Sequence, residues 1–139
     1  ARETEDKDLD RARVTRGVEA VFDAADGEDR GWYLVAEADG AAVASLMVTY
    51  EWSDWRAGWF WWIQSVYVAA PYRGRGVYRA LYAEVLRLAR ERGDVCGVRL
   101  YVEHDNTAAQ AVYERLGMHR THYHLYEVDF VLGVEARNG

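Results

Sequence analysis

The most constraining feature of the sequence is a strand that leads through a glycine-containing turn into a helix. Residues 59–68 are aromatic and β-branched, which favours an extended strand, and Pro71 closes the run. The turn Arg73-Gly74-Arg75-Gly76 follows. From Val77 to Arg92 apolar residues recur at helical spacing, and Gly93 is a natural C-terminal stop. The chain is therefore expected to pass from a strand, through a short turn, to the start of a long helix.

The remaining sequence predicts one domain, residues 1–139, built around a mainly antiparallel sheet. A chain of 139 residues suits a single domain. Asp39-Gly40 is a favoured hairpin turn, and it separates two strand-like segments. The predicted elements, in addition to the strand and helix above, are a helix near 8–24, strands at 33–36, 42–50 and 98–102, a helix from Asn106-Thr107 to Leu116, and a strand over 119–130. The fold class is α+β, a mixed sheet flanked by helices.

Composition and charge narrow the function classes. A net charge of -6 argues against a nucleic-acid partner, because nucleic acid rewards clustered Lys and Arg. No apolar run approaches the roughly 18 residues that span a bilayer and no leader precedes the first helix, so we expect a cytoplasmic protein without a membrane partner. Cys96 precedes an apolar run and is expected to be buried. His122 and His124 lack a third ligand at metal spacing, so we expect no metal site.

The turn at 73–76 has the properties of an anion site. The N–H groups of the turn and of the first helical residues, up to Tyr78, lie at the positive end of a helix dipole. Gly74 and Gly76 leave space for a pyrophosphate to approach the backbone, and the two arginines add guanidinium groups that pair with phosphate oxygens. A turn of this kind also serves simply to connect two elements, so the turn alone leaves both interpretations open.

Two motifs resemble those of one known family. Gln64-Ser65-Val66-Tyr67-Val68, followed by Arg73-Gly74-Arg75-Gly76-Val77-Tyr78 and a long helix, is similar to the acetyl-CoA-binding motif R/Q-x-x-G-x-G/A of the GNAT superfamily of N-acetyltransferases. Tyr78 stands where that family usually has Gly or Ala. Further along the chain, three segments together are similar to the second motif of the family. They are Leu100-Tyr101-Val102, Asn106-Thr107-Ala108-Ala109 and Val112-Tyr113-Glu114-Arg115-Leu116-Gly117-Met118. The resemblance covers roughly residues 30 to 130.

The resemblance implies acetyl-CoA as co-substrate and assigns residues to it. The implied binding residues are Val66, Tyr67, Val68, Arg73, Gly74, Arg75, Gly76, Val77, Tyr78, Asn106 and Tyr113. Asn106 is expected to approach the pantetheine arm, and Tyr113 to protonate the departing thiolate. The backbone N–H of Val66 or Val68 is expected to stabilise the oxyanion of the thioester. About two helical turns separate Asn106 from Tyr113, so both can face one groove. The alternative for this pair is a helix cap and a core tyrosine.

The acceptor site is expected near the second and third strands. An alkyl amine, with a pKa of about 10.4, has to lose a proton before it attacks. The positions at which family members often keep a base hold Trp62 and Gln64, so we expect Glu51 to act through water, with Asp54 as the other nearby carboxylate. Five of the six tryptophans lie between Trp52 and Trp62 and predict an aromatic wall. The expected substrate-binding residues are Trp52, Asp54, Trp55, Trp62 and Gln64. The alternatives are solvated carboxylates and a tryptophan-rich core or dimer interface.

The sequence thus predicts an N-acetyltransferase that transfers an acetyl group directly from acetyl-CoA to a primary amine of a small molecule or protein. We expect it to work as a homodimer. Family members normally begin with a further strand, and this chain shows none, so that strand is absent here or supplied by another chain. Two alternatives stay open: a noncatalytic acyl-CoA-binding sensor or interaction module, and a scaffold that associates through its tryptophans.

Overall fold

The structure, a computed structural model, describes residues 29–132 and four further helical residues, Arg16, Glu19, Val21 and Phe22. These four agree with the predicted helix near 8–24, and the rest of that helix lies outside the described residues. The expected absence of an N-terminal strand also concerns residues outside them. The chain divides into two compact units, Ala1–Glu103 and His104–Gly139.

The first unit is built on a four-stranded mixed sheet with strand order β1-β2-β3-β4. The strands are β1 Trp32–Ala38, β2 Ala41–Ser53, β3 Gly58–Val68 and β4 Val95–Leu100. β1, β2 and β3 pair antiparallel in succession, and β4 pairs parallel to β3. Asp39 and Gly40 join β1 to β2 with φ values of 52° and 80°, as the tight hairpin turn of an Asp-Gly pair requires. The predicted hairpin and the α+β class are confirmed.

Helix α1, Val77–Arg92, has the predicted bounds and packs on the sheet. It contacts all four strands. Its buried side chains recur at three- and four-residue spacing and are Leu81, Tyr82, Val85 and Ala89. Leu46 and Val48 of β2 and Val85 of α1 are fully buried and form the centre of the core. Burying side chains of this size contributes about 1.5 to 3 kcal/mol each, so the sheet and α1 stabilise each other.

The second unit contains helix α2, Thr107–Arg115, close to its predicted bounds. Asn106 precedes it, and Gly117 follows it with a φ of 98°. The strand predicted over 119–130 is wrong, because residues 118–132 form neither helix nor strand. Alternating apolar residues make a strand only where a neighbouring strand completes the hydrogen-bond ladder, and here Tyr126 and Phe130 are exposed.

Two smaller expectations about β4 are also corrected. The strand was predicted over 98–102, but it spans Val95–Leu100. It begins earlier because its pairing with β3 starts where Val95 lies beside Trp59. Cys96 is exposed and was expected to be buried. Successive side chains of a strand point to opposite faces, and β4 lies at the edge of the sheet order, which gives Cys96 less cover than its apolar neighbours suggested. Within the described residues, neither helix is long and apolar enough to cross a membrane.

Candidate active site

Strand β3 carries a bulge close to its C-terminal end. On β2 the single residue Leu46 stands opposite two residues of β3, Ser65 and Val66. Ser65 has a φ of 51°, in the left-handed region that costs a non-glycine residue about 1 kcal/mol. A bulge bends its strand and redirects the groups that follow it. β3 therefore bends beside Val66 and Val68, whose N–H groups were predicted to contact the thioester.

β3 and β4 separate from each other close to this bulge. Their pairing ends at Ile63 and Leu100, whereas β3 continues to Val68. Ala69 donates its N–H to the carbonyl oxygen of Val43 on β2 at 2.8 Å. Successive N–H groups of an extended strand point to opposite edges, so the N–H of Val68 faces the edge from which β4 has departed. A backbone donor is thus directed into the gap between the two strands.

The turn between β3 and α1 is open around its two glycines. Gly74 and Gly76 have φ values of 71° and 81°, and a Cβ atom added at either would meet no atom within 4 Å. Gly76 caps α1 without a side-chain hydrogen bond, and the first turn of α1 carries no acidic side chain. The first-turn N–H groups of a helix lack intrahelical acceptors. The open backbone and the positive helix end together fit a pyrophosphate.

The two arginines of the turn also organise it. Arg73 donates from Nε to the carbonyl oxygen of Val68 at 2.9 Å. Arg75 donates from Nη1 to the carbonyl oxygen of Pro71 at 3.3 Å, and its guanidinium carbon lies 5.3 Å from the centre of the Tyr72 ring. Both side chains belong to exposed residues. They therefore fix the turn while adding positive charge at the predicted anion site.

Two side-chain hydrogen bonds involve three of the predicted acceptor-site residues on one face of the sheet. Trp62 donates its indole N–H to Oε1 of Glu51 at 2.9 Å. Gln64 donates from Nε2 to the hydroxyl of Thr49 at 2.6 Å. Thr49 lies directly opposite Trp62 in the antiparallel pair, so these side chains share a face. The structure therefore brings Glu51, Trp62 and Gln64 together.

The other predicted acceptor-site residues lie elsewhere. Trp52 pairs with Trp59, their rings 5.0 Å apart, on the face opposite to Trp62. Asp54 and Trp55 belong to the turn at 54–57, where Trp55 is 84% exposed. Tryptophans one residue apart on a strand point to opposite faces, so a run of them cannot line one wall. The five tryptophans are divided between two faces and a turn.

Sequence reasoning missed two residues that contact Glu51 and Trp62, namely Arg99 and Tyr101. Arg99 donates from Nη1 to the same Oε1 of Glu51 at 2.9 Å, and its guanidinium carbon lies 3.5 Å from the centre of the Phe60 ring. The ring of Tyr101 stacks on Trp62 with centroids 4.4 Å apart. The sequence signal for these two residues is their spacing: Arg99 and Tyr101 are two positions apart, as are Trp62 and Gln64. This spacing becomes informative only once the parallel register of β3 and β4, which pairs Arg99 with Trp62, is known.

Asn106 and Tyr113 belong to the second unit. The side-chain oxygen of Asn106 accepts a hydrogen bond from the backbone N–H of Ala109 at 3.1 Å, so Asn106 caps α2. Tyr113 is half-buried, and burial raises the pKa of its phenol above the ordinary value. A phenol in such a setting keeps its proton at neutral pH and can donate it. Among the residues that the structure describes, no cluster of His, Cys, Asp or Glu is placed to hold a metal ion.

Two known proteins that are similar to this chain in sequence or fold have names that describe acetyltransferases. A mycothiol acetyltransferase of Corynebacterium aurimucosum is 39% identical over 112 residues, which are 78% of this chain and 35% of that protein. The chain thus spans about a third of the length of that relative. A possible acetyltransferase of Clostridium difficile 630 has a solved structure that is 42% identical, with a TM-score of 0.83 over 94% of this chain and 84% of the other.

A more distant solved structure shares the fold alone. AAC(6')-Iy, in complex with the bisubstrate analogue CoA-S-monomethyl-acetylneamine, is 22% identical, with a TM-score of 0.67 over 87% of this chain and 80% of the other. Residues 2–118 match the acetyltransferase (GNAT) family. This match covers most of the chain and includes the bulged strand, the glycine turn and α1. The chain belongs to the acetyltransferase (GNAT) family.

Proposed function

We propose that this chain transfers an acetyl group from acetyl-CoA to the primary amine of a small molecule, by direct transfer within a ternary complex. One observation carries the proposal. A backbone donor at the end of β3 faces the gap left by β4, and the same strand runs into a turn that is open at Gly74 and Gly76. An acyl carbonyl needs the first feature and a pyrophosphate needs the second.

The proposed acetyl-CoA site follows the end of β3 into α1. The pyrophosphate binds the backbone around Gly74 and Gly76, and the exposed Arg73 and Arg75 supply charge. The open space at both glycines supports this placement, since a Cβ there would occupy the region a phosphate needs. The pantetheine arm runs along β3 at Val66 to Val68. The resemblance to the family also assigns Asn106 and Tyr113, which belong to the second unit, to acetyl-CoA, and both are kept as proposed contacts.

The proposed chemistry is a single displacement. The amine nitrogen forms a bond to the acetyl carbonyl carbon, and the bond between that carbon and sulfur breaks. The N–H of Val68, or of Val66, donates a hydrogen bond to the carbonyl oxygen as it gains negative charge, a contribution of roughly 3 kcal/mol where such donors have been removed. Tyr113 gives its proton to the thiolate that leaves. Its raised pKa supports this role, because the phenol stays protonated at neutral pH.

We propose Glu51 as the group that receives the proton of the amine, through an intervening water. Both hydrogen bonds that the structure gives this carboxylate end on Oε1, from Trp62 and Arg99. They fix the carboxylate and do not involve Oε2, which is the proposed acceptor atom for the water. Gln64, held by Thr49, is proposed to orient that water.

The proposed acceptor is a small molecule rather than a protein, and the relative named a mycothiol acetyltransferase supports this choice, since its name refers to a small molecule. A direct test follows the release of CoA thiol when the purified chain is mixed with acetyl-CoA and a panel of amines. We expect turnover that is lost or strongly reduced in Arg73→Ala and Tyr113→Phe, and retained in the control Arg90→Ala. Initial rates measured at varied concentrations of both substrates should give intersecting lines in a double-reciprocal plot, as a ternary complex requires. Binding of CoA without turnover of any amine would point instead to a sensor, and absence of binding would refute the proposal.

A further inference from the structure

Tyr101 lies at the point where β3 and β4 separate. Leu100 is the last residue of β4 and pairs with Ile63, and Tyr101 follows it directly. The next residue on β3 is Gln64. The alternation of a strand puts Tyr101 on the same face as Arg99, which pairs with Trp62. Tyr101 therefore borders the gap in which the acyl carbonyl is proposed to lie.

The Tyr101 ring packs on Trp62, and Trp62 is itself held in place by Glu51. It stacks on the Trp62 indole with centroids 4.4 Å apart and planes 29° apart. The indole N–H of Trp62 is held by Glu51 at 2.9 Å, and the same carboxylate oxygen accepts from Arg99 at 2.9 Å. Two aromatic rings and an ion pair thus hold one another in a defined geometry. A rigid aromatic surface binds with little loss of side-chain entropy.

The ring of Tyr101 is accessible to a ligand, and the charged side chains around it limit which ligands it favours. Tyr101 is 57% exposed even though one face of its ring is in contact with Trp62. An exposed aromatic face binds the flat or apolar face of another ring. Arg99 and Arg56 both lie against Phe60, at 3.5 Å and 4.9 Å, and the carboxylate of Glu51 is already paired with Arg99. That balance of charge does not favour an acceptor that carries several ammonium groups.

We propose that Tyr101 is an acceptor-binding residue, and that with Trp62 it forms a platform for an amine borne on a six-membered ring with an apolar face, of a sugar or an aromatic compound. The inference rests on the proposed function and deepens it by naming the substrate class. The ring of the acceptor stacks on Tyr101 beside Gln64 and Glu51. The amine then points toward the gap between β3 and β4.

The test compares Michaelis constants for three amines: glucosamine, 2-phenylethylamine and the linear 2-(2-aminoethoxy)ethanol. In Tyr101→Ala we expect KM for the ring-bearing amines to rise about three- to tenfold, as loss of an aromatic stack implies. KM for acetyl-CoA and for the linear amine should change less than about twofold. Tyr101→Phe keeps the ring and should match the wild type. Tyr126→Ala, which removes another exposed ring, should also match it. An unchanged KM for ring-bearing amines in Tyr101→Ala, or an equal rise for the linear amine, overturns the proposal.

A second measurement does not depend on turnover. If the wild type acetylates none of the three amines, ligand-observed NMR with CoA present measures whether glucosamine or 2-phenylethylamine binds. Binding to the wild type that disappears in Tyr101→Ala supports the platform even though the proposed transfer has failed. Binding that survives in Tyr101→Ala, or no binding to the wild type, overturns it. Thermal unfolding of each variant verifies that the fold is retained.

Discussion

Arg99 and Glu51 form an ion pair at 2.9 Å although they are 48 positions apart in the sequence and their strands are not neighbours in the sheet. β3 lies between them, so the arginine side chain reaches across it. Its guanidinium passes over the Phe60 ring at 3.5 Å from the ring centre. Gly97 lies directly beside Phe60, and a Cβ atom there would come within 2.6 Å of the ring. A glycine on β4 thus gives Phe60 the position that Arg99 covers.

The first prediction concerns the energy of this ion pair. Both side chains are partly exposed, at 29% for Arg99 and 47% for Glu51, so solvent screens their attraction. A double-mutant cycle with Arg99→Met and Glu51→Gln should give a coupling of about 0.5 to 1 kcal/mol. The measurement is urea unfolding of the four proteins. A coupling near zero would mean that the pair is only a contact of the folded state without energetic weight.

The second prediction concerns Glu51 as proton acceptor. Glu51→Gln keeps the shape of the side chain but cannot take a proton, so kcat should fall by about 100-fold. KM for acetyl-CoA should be unchanged, because Glu51 is not part of the proposed CoA site. Glu37→Gln, which alters an exposed carboxylate of β1, is the control and should leave kcat unaffected. If Asp54→Asn lowers kcat and Glu51→Gln does not, the base is Asp54.

The third prediction separates backbone strain from ligand contact at the turn. Gly76 and Gly93 cap the two ends of α1 with φ values of 81° and 80°, and a Cβ at either meets no atom within 4 Å. Alanine at each should destabilise the fold by about 1 kcal/mol, because the left-handed conformation disfavours a Cβ. Only Gly76→Ala should raise KM for acetyl-CoA, by about tenfold or more. Equal KM values in the two variants would remove the pyrophosphate from this turn.

The fourth prediction concerns Tyr113. As proton donor to the thiolate it has to be protonated, and burial raises its pKa above 10.0, so the rate should stay high until the pH exceeds that value. Tyr113→Phe should lower kcat by about 100-fold and should lack the decline of the wild type at alkaline pH. The check is a pH profile of kcat for both proteins, with 2,4-dinitrophenyl thioacetate as a substrate whose better leaving group restores part of the rate in the variant. A variant whose profile parallels that of the wild type would show that another group donates the proton.

The fold was largely predictable because its signals are local. The Asp39-Gly40 hairpin, the strand before Pro71 and the helix from Val77 to Arg92 each depend on nearby residues. The proposed acceptor face was not predictable, because it depends on which strands are neighbours. Arg99 joins Glu51 only through the parallel register of β3 and β4, which no local pattern contains. Position 65 shows the same limit, since a serine in the left-handed region gives no sequence signal of a bulge.

The last prediction links stability to pH through Tyr50. Its hydroxyl donates to Oδ1 of Asp29 at 3.1 Å, and burial, followed by this hydrogen bond, raises its pKa to about 12. The folded state holds this proton more tightly than the unfolded state, whose pKa is near 10.0. The stabilisation is fully present below pH 10 and is lost as the pH rises toward about 12.

Urea unfolding at pH 8, 10 and 11 should therefore show a steeper loss of stability in the wild type than in Tyr50→Phe. Burial also raises the pKa of Tyr33, Tyr82 and Tyr113, so both proteins decline and the difference between them isolates Tyr50. Tyr126→Phe removes an exposed phenol and should follow the wild type. Parallel curves for the wild type and Tyr50→Phe would mean that Tyr50 loses its proton equally easily in the folded and unfolded states, contrary to its contact with Asp29.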